Sequence, residues 1–279
     1  TPSAVENVLR SSGPSIVDPL VGQSYHRLSL PPAIAALGVA TSTPIPTTTA
    51  PPPLACTIQG TSDPDVLVGT AGSDVICGGG GGDVLVPNGG VDTIDGGNGF
   101  DFVSLDGASG GGTVDLTTGT ASAPGITVSI QRIEGVIGTP FNDMLIGNGA
   151  DNDFLGLGGD DAIDGGGGFD FVRYDFALGR VKTDLRQRSA QGEGADALTA
   201  VEGVVGGAKD DILTGDGTPN ILVGLNGDDR LWGLGRPDTL IGGPGADVLF
   251  GGRGNDSLTG GPGADSCDVG PGRGSASSC

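Results

Sequence analysis

The sequence predicts an all-β fold: a parallel β-roll or β-helix solenoid of stacked nonapeptide half-turns, with two wider inserted coils and a non-repetitive N-terminal arm. Three observations support this prediction. The 279 residues include 57 glycines, aromatic residues make up only 4%, and a glycine-rich pattern recurs every nine residues from Gly60 onward. A chain this poor in large apolar side chains cannot bury a sizeable compact core, whereas stacked repeats bury a narrow core continuously.

The chain before the repeats divides into two segments. Residues 1–40 are non-repetitive and form the predicted arm. Residues 41–55 are rich in proline and threonine, which favours an extended and semi-rigid linker. The repeat domain is then residues 56–279. Spaced apolar residues in the arm, such as Val5 and Leu9, lead us to expect packing on a neighbouring subunit, giving a homo-oligomer or filament.

The nonapeptides fall into three arrays, at residues 60–104, 138–173 and 206–268, with five, four and seven units. Position 1 is glycine in 15 of the 16 units, position 6 is Asp in 14 and Asn in two, and position 8 is apolar in 15. Three columns this strict do not arise from glycine content alone. The nine-residue period is therefore a structural repeat.

The segments between the arrays, residues 105–137 and 174–205, are related to each other. FDFV begins at residues 100 and 169, and the words IEGV and VEGV begin at residues 133 and 201. We expect each insertion to form a strand pair in a wider coil of the same solenoid. The predicted pairs are Thr113–Leu116 with Ile126–Ile130, and Val181–Leu185 with Leu198–Val201.

Position 6 carries the chemistry of the repeat. The first six residues of a unit form a turn, because glycine permits positive φ, and the last three form a strand whose position 8 points inward. Two units make one coil, so coils stacked about 4.8 Å apart place the position-6 carboxylates in two columns. Neighbouring carboxylates about 5 Å apart repel by about 3 kcal/mol at an effective dielectric of about 20. A cation between turns converts this repulsion into a net attraction. Carboxylate and carbonyl oxygens suit Ca²⁺ better than Mg²⁺ as ligands.

The consensus G-G-x-G-x-D-x-U-x, with U apolar, resembles the RTX (repeats-in-toxin) calcium-binding repeats over about residues 60–268. The resemblance implies structural Ca²⁺ between turns, held by loop carbonyls and by position-6 aspartates, with folding coupled to binding. The implied ligands are Asp65, Asp74, Asp83, Asp92, Asp101, Asp143, Asp161, Asp170, Asp211, Asp229, Asp238, Asp247, Asp256 and Asp265. If each array holds two fewer ions than it has repeats, the chain binds about ten. Weaker or empty sites are expected at Asn152 and Asn220, and in the turns Gly206–Asp211 and Gly233–Asp238, which lack the position-4 glycine.

Cysteines and charge constrain location and partners. The spacing favours disulfides Cys56–Cys77 and Cys267–Cys279, the alternative being four reduced thiols. Disulfides imply an oxidising compartment, so we expect a secreted, extracellular or cell-surface protein. In this respect the chain resembles cysteine-containing secreted calcium-binding proteins of the actinobacterial type. A net charge of −21 disfavours nucleic acid as a partner. The sequence contains no run of about 18 apolar residues, so we expect no membrane span.

These observations predict a calcium-binding structural protein, a scaffold of surface, matrix or filament type, and not an enzyme. The alternative is a calcium-dependent adhesin, or the export and folding module of a larger secreted enzyme. Residues 107–111 match a serine-nucleophile pattern, but the single histidine, His26, lies outside the repeats. Apolar residues at the outward positions 7 and 9, such as Trp232 and Phe250, are either covered by the insertions or arm, or form a self-association surface.

Overall fold

The computed structural model describes residues 55–279, together with the backbone of residues 15–17 and 24–26. Throughout the described residues the regular elements are β-strands, and no helix occurs among them. The chain forms two compact units, residues 1–138 and 139–279. In the first unit, β1 (Ser15–Val17) pairs antiparallel with β2 (Ser24–His26). The remainder of the predicted arm and the linker up to residue 54 lie outside the described residues.

The solenoid part of the first unit consists of ten short strands. They are β3 (Ile58–Gln59), β4 (Val66–Val68), β5 (Val75–Gly80), β6 (Val84–Val86), β7 (Gly90–Asn98), β8 (Phe102–Ser104), β9 (Thr113–Asp115), β10 (Thr120–Ala123), β11 (Ile126–Gln131) and β12 (Gly135–Ile137). Outside the insertion, alternate strands belong to two sheets. One sheet has the order β9-β10-β11-β7-β5-β3 and the other β12-β8-β6-β4. Position-8 side chains such as Ile76 and Leu85 are fully buried and form the core, as the period predicts.

The second unit repeats this design over sixteen strands. They are β13 (Met144–Ile146), β14 (Asp153–Leu155), β15 (Ala162–Asp164), β16 (Phe171–Arg173), β17 (Lys182–Asp184), β18 (Ser189–Gln191), β19 (Ala195–Thr199), β20 (Gly203–Val205), β21 (Ile212–Thr214), β22 (Ile221–Val223), β23 (Arg230–Gly235), β24 (Thr239–Ile241), β25 (Val248–Arg253), β26 (Ser257–Thr259), β27 (Ser266–Asp268) and β28 (Ser275–Ser277). The two sheets have the orders β27-β25-β23-β21-β17-β18-β19-β15-β13 and β28-β26-β24-β22-β20-β16-β14. The parallel register shifts by 18 residues from coil to coil, as in the pair Leu231 and Leu249.

Each insertion contains a three-stranded antiparallel meander, so the predicted strand pairs are wrong in detail. In the first unit β10 lies between β9 and β11, and in the second unit β18 lies between β17 and β19. The middle strands have the sequences TASA and SAQ, which lack the apolar run that identifies a strand. Small residues suffice there because only one side chain of each strand, Ala121 or Ala190, enters the core.

The turns depend on a left-handed backbone at positions 2 and 4. Gly97 and Gly99 have φ of +103° and +142°, and a Cβ on either would collide with the carbonyl group of the turn 18 residues earlier. Leu234 and Arg236 occupy the same two positions of a later turn at φ of +79° and +72°. The left-handed backbone is therefore kept even where the residue has a Cβ atom, which makes this conformation about 1–2 kcal/mol less favourable per residue.

Both ends of the repeat region extend one half-turn beyond the predicted arrays. Ile58 pairs with Ile76, and β28 pairs with β26, although neither end segment has a position-6 aspartate. Both predicted disulfides are present at these ends. The Cα–Cα distance is 5.9 Å for Cys56–Cys77 and 5.8 Å for Cys267–Cys279, within the ordinary range.

Outward positions 7 and 9 are buried in some coils and exposed in others. Phe102 and Phe171, which belong to the nonapeptides directly before the insertions, are only 7% exposed. Val68, Met144 and Phe250 are 51%, 45% and 38% exposed. Some outward side chains are therefore covered, and others remain on the surface.

Candidate metal centres

Position-6 side chains form hydrogen-bonded ladders along the columns of turns. Each lies directly before a strand, except Asp92, which lies within β7, so its backbone is held in the parallel register of the sheet. The Asp83 amide donates to Asp101 Oδ1 at 2.8 Å, and the Asp229 amide donates to Asp247 Oδ1 at 2.8 Å. Bonds of 2.7 to 3.0 Å to an amide 18 residues earlier are accepted in this way by Asp83, Asp92, Asp101, Asp161, Asp170, Asp229, Asp238, Asp247, Asp256 and Asp265. We call these ten residues the ladder aspartates.

The second carboxylate oxygen of every ladder aspartate is buried and accepts no hydrogen bond among the described residues. A buried carboxylate oxygen without a partner is costly, so ten of them along the ladders call for a compensating group. Burial is the largest cause of the raised pKa of eight ladder aspartates, namely Asp83, Asp92, Asp101, Asp161, Asp170, Asp229, Asp238 and Asp247. It raises the pKa to about 6 for Asp83 and Asp101, and to about 7 for Asp161, Asp170, Asp229 and Asp238.

The six remaining position-6 residues begin the columns, and their side chains close their own turns. Thr61 N donates to Asp65 Oδ2 at 2.6 Å, and Thr139 N donates to Asp143 Oδ2 at 2.6 Å. Bonds from the residue four positions earlier are accepted by Asp65, Asp74, Asp143, Asn152, Asp211 and Asn220. The amide of Thr70 lowers the pKa of Asp74 in this way. The fourteen predicted aspartates therefore fall into two groups with different hydrogen-bond partners.

Backbone carbonyl oxygens converge with the unpartnered Oδ2 atoms of the ladder aspartates. A Cβ built on Gly242 would collide with Asp247 Oδ2 and would lie 2.7 Å from the carbonyl oxygen of Gly260 in the next turn. The position-1 glycine thus leaves space where a carboxylate and a carbonyl oxygen converge. No cluster of three or more His, Cys, Asp or Glu side chains that could hold a metal occurs in the described part of the chain. An ion here takes carboxylate and carbonyl oxygens together, which is the donor set of Ca²⁺.

Sequence reasoning missed three carboxylates that the insertions bring to the columns. Glu134 and Glu202 accept the amides of Asp101 and Asp170, each at 3.0 Å. The shared words IEGV and VEGV contained this signal, but the period gave no reason to align them with position 6. The third carboxylate, Asp196, accepts the Asp161 amide at 3.1 Å, and its other oxygen accepts the Tyr174 hydroxyl at 2.7 Å.

Comparison with protein families agrees with this geometry. Five stretches of the chain, residues 57–85, 137–172, 205–240, 232–267 and 241–274, match the family model of the RTX calcium-binding nonapeptide repeat. This chain is an RTX-repeat protein. No curated protein matches it.

RTX repeats bind Ca²⁺, and the oxygen-only surroundings of the ladder aspartates fit that ion. Proteins with RTX repeats are typically secreted, and the two disulfides suit an oxidising setting. Among the described residues no helix is long and apolar enough to cross a bilayer. When bound, the ion supplies positive charge between stacked turns. The residues of this chain supply the ladder carboxylates, the carbonyl groups and the glycines that keep the space open.

Proposed function

We propose that this RTX-repeat protein is a secreted structural protein that folds on calcium and serves as an extracellular scaffold rather than as an enzyme. The carrying observation is the set of ten buried, unpartnered Oδ2 atoms of the ladder aspartates. Their regular hydrogen-bonded spacing suits a repeated structural ion. A catalytic centre would instead bring unlike groups together around a substrate.

We propose about ten calcium sites, one for each ladder aspartate. Without cations, carboxylates about 5 Å apart in a column repel by about 3 kcal/mol per neighbouring pair at an effective dielectric of about 20. Ten Ca²⁺ ions nearly cancel the net charge of −21. The other four predicted ligands, Asp65, Asp74, Asp143 and Asp211, contribute less in this proposal, because amides of their own turns already bind them.

Circular dichroism tests this function. The oxidised full chain is transferred to chelator and titrated with Ca²⁺ and, in parallel, with Mg²⁺. The proposal expects a cooperative coil-to-β transition with Ca²⁺ alone, together with about ten bound ions by equilibrium dialysis. A β spectrum already complete in chelator would mean that the disulfides and the apolar core hold the solenoid without the metal.

For assembly, we propose that copies associate through the N-terminal arm and the exposed apolar strand positions. Phe250 stacks on Trp232 with ring centroids 6.0 Å apart, and Val68 and Met144 are exposed in other coils. Exposed apolar side chains of this size favour contact with another surface. Deleting residues 1–54 should prevent filament formation in calcium, as seen by electron microscopy. Unchanged filaments would exclude the arm as the assembly element.

A further inference from the structure

At the end of each insertion, a glycine pairs with position 7 of the preceding nonapeptide and so restores the register of the repeats. Gly135 pairs with Phe102 and Gly203 pairs with Phe171, and both phenylalanines occupy position 7 of a nonapeptide. The residue before position 7 is position 6, which is Asp or Asn in all 16 nonapeptides. At these two places it is Glu134 and Glu202. The two glutamates are therefore the position-6 residues of the wider coils.

The turns that precede these glutamates are shorter than a nonapeptide turn. A Cβ on Gly96 would collide with the carbonyl oxygen of Arg132, and a Cβ on Gly165 would collide with that of Ala200. In a nonapeptide turn, the carbonyl group opposite the position-1 glycine comes from position 1 of the next turn, as Gly260 lies opposite Gly242. Here Arg132 and Ala200 provide that carbonyl group instead. Only one residue separates this carbonyl group from the glutamate, whereas four separate positions 1 and 6 of a nonapeptide. Arg132 and Ala200 adopt left-handed φ values of +53° and +49° in these tight turns.

The side chains make the contact that the ladder aspartates make. Glu134 Oε2 and Glu202 Oε2 accept the amides of Asp101 and Asp170 at 3.0 Å, within the range of the ladder bonds. The extra methylene group of glutamate provides the reach from a turn shortened by three residues. Burial also raises the pKa of both glutamates, as it does for most ladder aspartates.

A buried oxygen without a hydrogen-bond partner lies at each of these two places. Asp101 and Asp170 are 0% and 1% exposed, and their Oδ2 atoms accept no hydrogen bond. Each Oδ2 lies 2.7 Å from the point where a Cβ of the position-1 glycine, Gly96 or Gly165, would stand. The Arg132 or Ala200 carbonyl converges on that same point. Each shortened turn therefore completes the donor arrangement of a nonapeptide pair.

We propose that Glu134 and Glu202 are calcium ligands, paired with Asp101 and Asp170, so that the wider coils bind ions as the nonapeptide turns do. This inference rests on the proposed calcium-dependent function. It assigns a metal role to two residues outside the nonapeptide arrays. It also extends each of these two columns by one carboxylate beyond its last nonapeptide.

The isosteric variants Glu134→Gln and Glu202→Gln separate a ligand from a simple hydrogen-bond acceptor. The glutamine oxygen still accepts the aspartate amide, so the fold keeps its bond while the site loses a charge. In the oxidised full chain, bound Ca²⁺ is measured by equilibrium dialysis and by competition with a chromophoric chelator. We expect each variant to lose one ion or to bind it at least about tenfold more weakly, and the double variant to lose two.

The matched control is Asp115→Asn, which removes a charge from the first insertion. Asp115 Oδ1 accepts the amides of Thr117 and Thr118 in an exposed turn, and asparagine can accept them too. The control should bind as many ions as the unmodified chain, with the same affinity. Glu134→Asp retains the charge but shortens the reach, so we expect it to bind as weakly as Glu134→Gln.

Unchanged number and affinity of ions in both glutamine variants would overturn the proposal and leave the calcium-dependent fold intact. An unmodified chain that binds no Ca²⁺ would instead refute the proposed function, so the two failures are distinguishable. If a glutamine variant folds incompletely, the calcium midpoint of its folding transition is compared with that of Asp115→Asn. A higher midpoint for the glutamine variant alone supports the ligand role, and equal midpoints contradict it.

Discussion

Replacing one ladder aspartate by asparagine should change stability with opposite sign in the presence and absence of calcium. Asp229 is the best position for this test, because it lies inside the longest array and is 0% exposed. Its Oδ1 accepts the Asp211 amide at 2.7 Å, and its Oδ2 is buried without a partner. In Asp229→Asn the amide oxygen keeps the ladder bond, so the change is confined to the charge.

Without calcium, the substitution should stabilise the fold. Burial raises the pKa of Asp229 from 3.8 to about 7, which is about three units. At about 1.4 kcal/mol per unit, keeping this group ionised at pH 7 costs the metal-free fold up to about 4 kcal/mol. Local relaxation lowers this cost, so we expect Asp229→Asn to stabilise the metal-free protein by about 2–4 kcal/mol.

With saturating calcium, the same substitution should destabilise the protein. Loss of even an outer-shell partner weakens metal sites by about 10- to 100-fold. Loss of a charged ligand should therefore cost at least about 1.4–2.7 kcal/mol. The proposed ion contributes stability only while it binds the native state more tightly than the unfolded chain.

The assay is urea unfolding followed by far-UV circular dichroism, in calcium and in chelator. Where the metal-free chain is largely unfolded, an osmolyte series brings the transition into range. The control is Asp228→Asn in the same turn. Asp228 is exposed, and its Oδ1 accepts the Ala246 amide at 2.8 Å, a bond that asparagine can keep. The same sign of effect for Asp229→Asn in both conditions would refute the metal-site reasoning, as would equal effects at both positions.

Three further predictions concern pH, turn strain and the C-terminal disulfide. A carboxyl group whose pKa is raised by folding favours the metal-free fold while it is protonated. This contribution is complete below the unfolded pKa near 4 and is lost as pH rises through the folded pKa. Because several ladder aspartates have pKa values of about 6 to 7, β content in chelator should fall as pH rises from about 4 to 7, and circular dichroism showing a rise would contradict this. Arg236→Gly removes a left-handed arginine and should raise stability by about 0.5–1 kcal/mol in urea unfolding, whereas Arg253→Gly, without positive φ, should give no gain. Replacing Cys267 and Cys279 by serine should cost about 2–3 kcal/mol, with faster hydrogen exchange confined to the last coil; uniform faster exchange would show that the disulfide supports the whole unit.

The period alone was enough to predict most of the fold. A strict glycine at position 1, an aspartate at position 6 and an apolar residue at position 8 describe a turn, a column and a core, and each lies where expected. These features depend on residues within one nonapeptide and on its exact repetition. The insertions depend on other rules, which is why the strands around Ala121 and Ala190 were missed.

The candidate centres show the same division. The sequence predicted which aspartates stand in columns, but it could not show that the Thr61 and Thr139 amides bind the first carboxylate of a column. The positions of Glu134 and Glu202 depend on a turn shortened by three residues, which the strand register alone makes visible.

The sequence by itself determined that this protein is a solenoid with columns of acidic side chains, because local repetition dictates both the turn and the stack. Only the tertiary structure decided which oxygens in those columns remain unpartnered and which carboxylates of the insertions join them. The reason is distance along the chain. Each of these contacts joins residues 18 to 35 positions apart, and parallel strand register, rather than any local preference, brings them together.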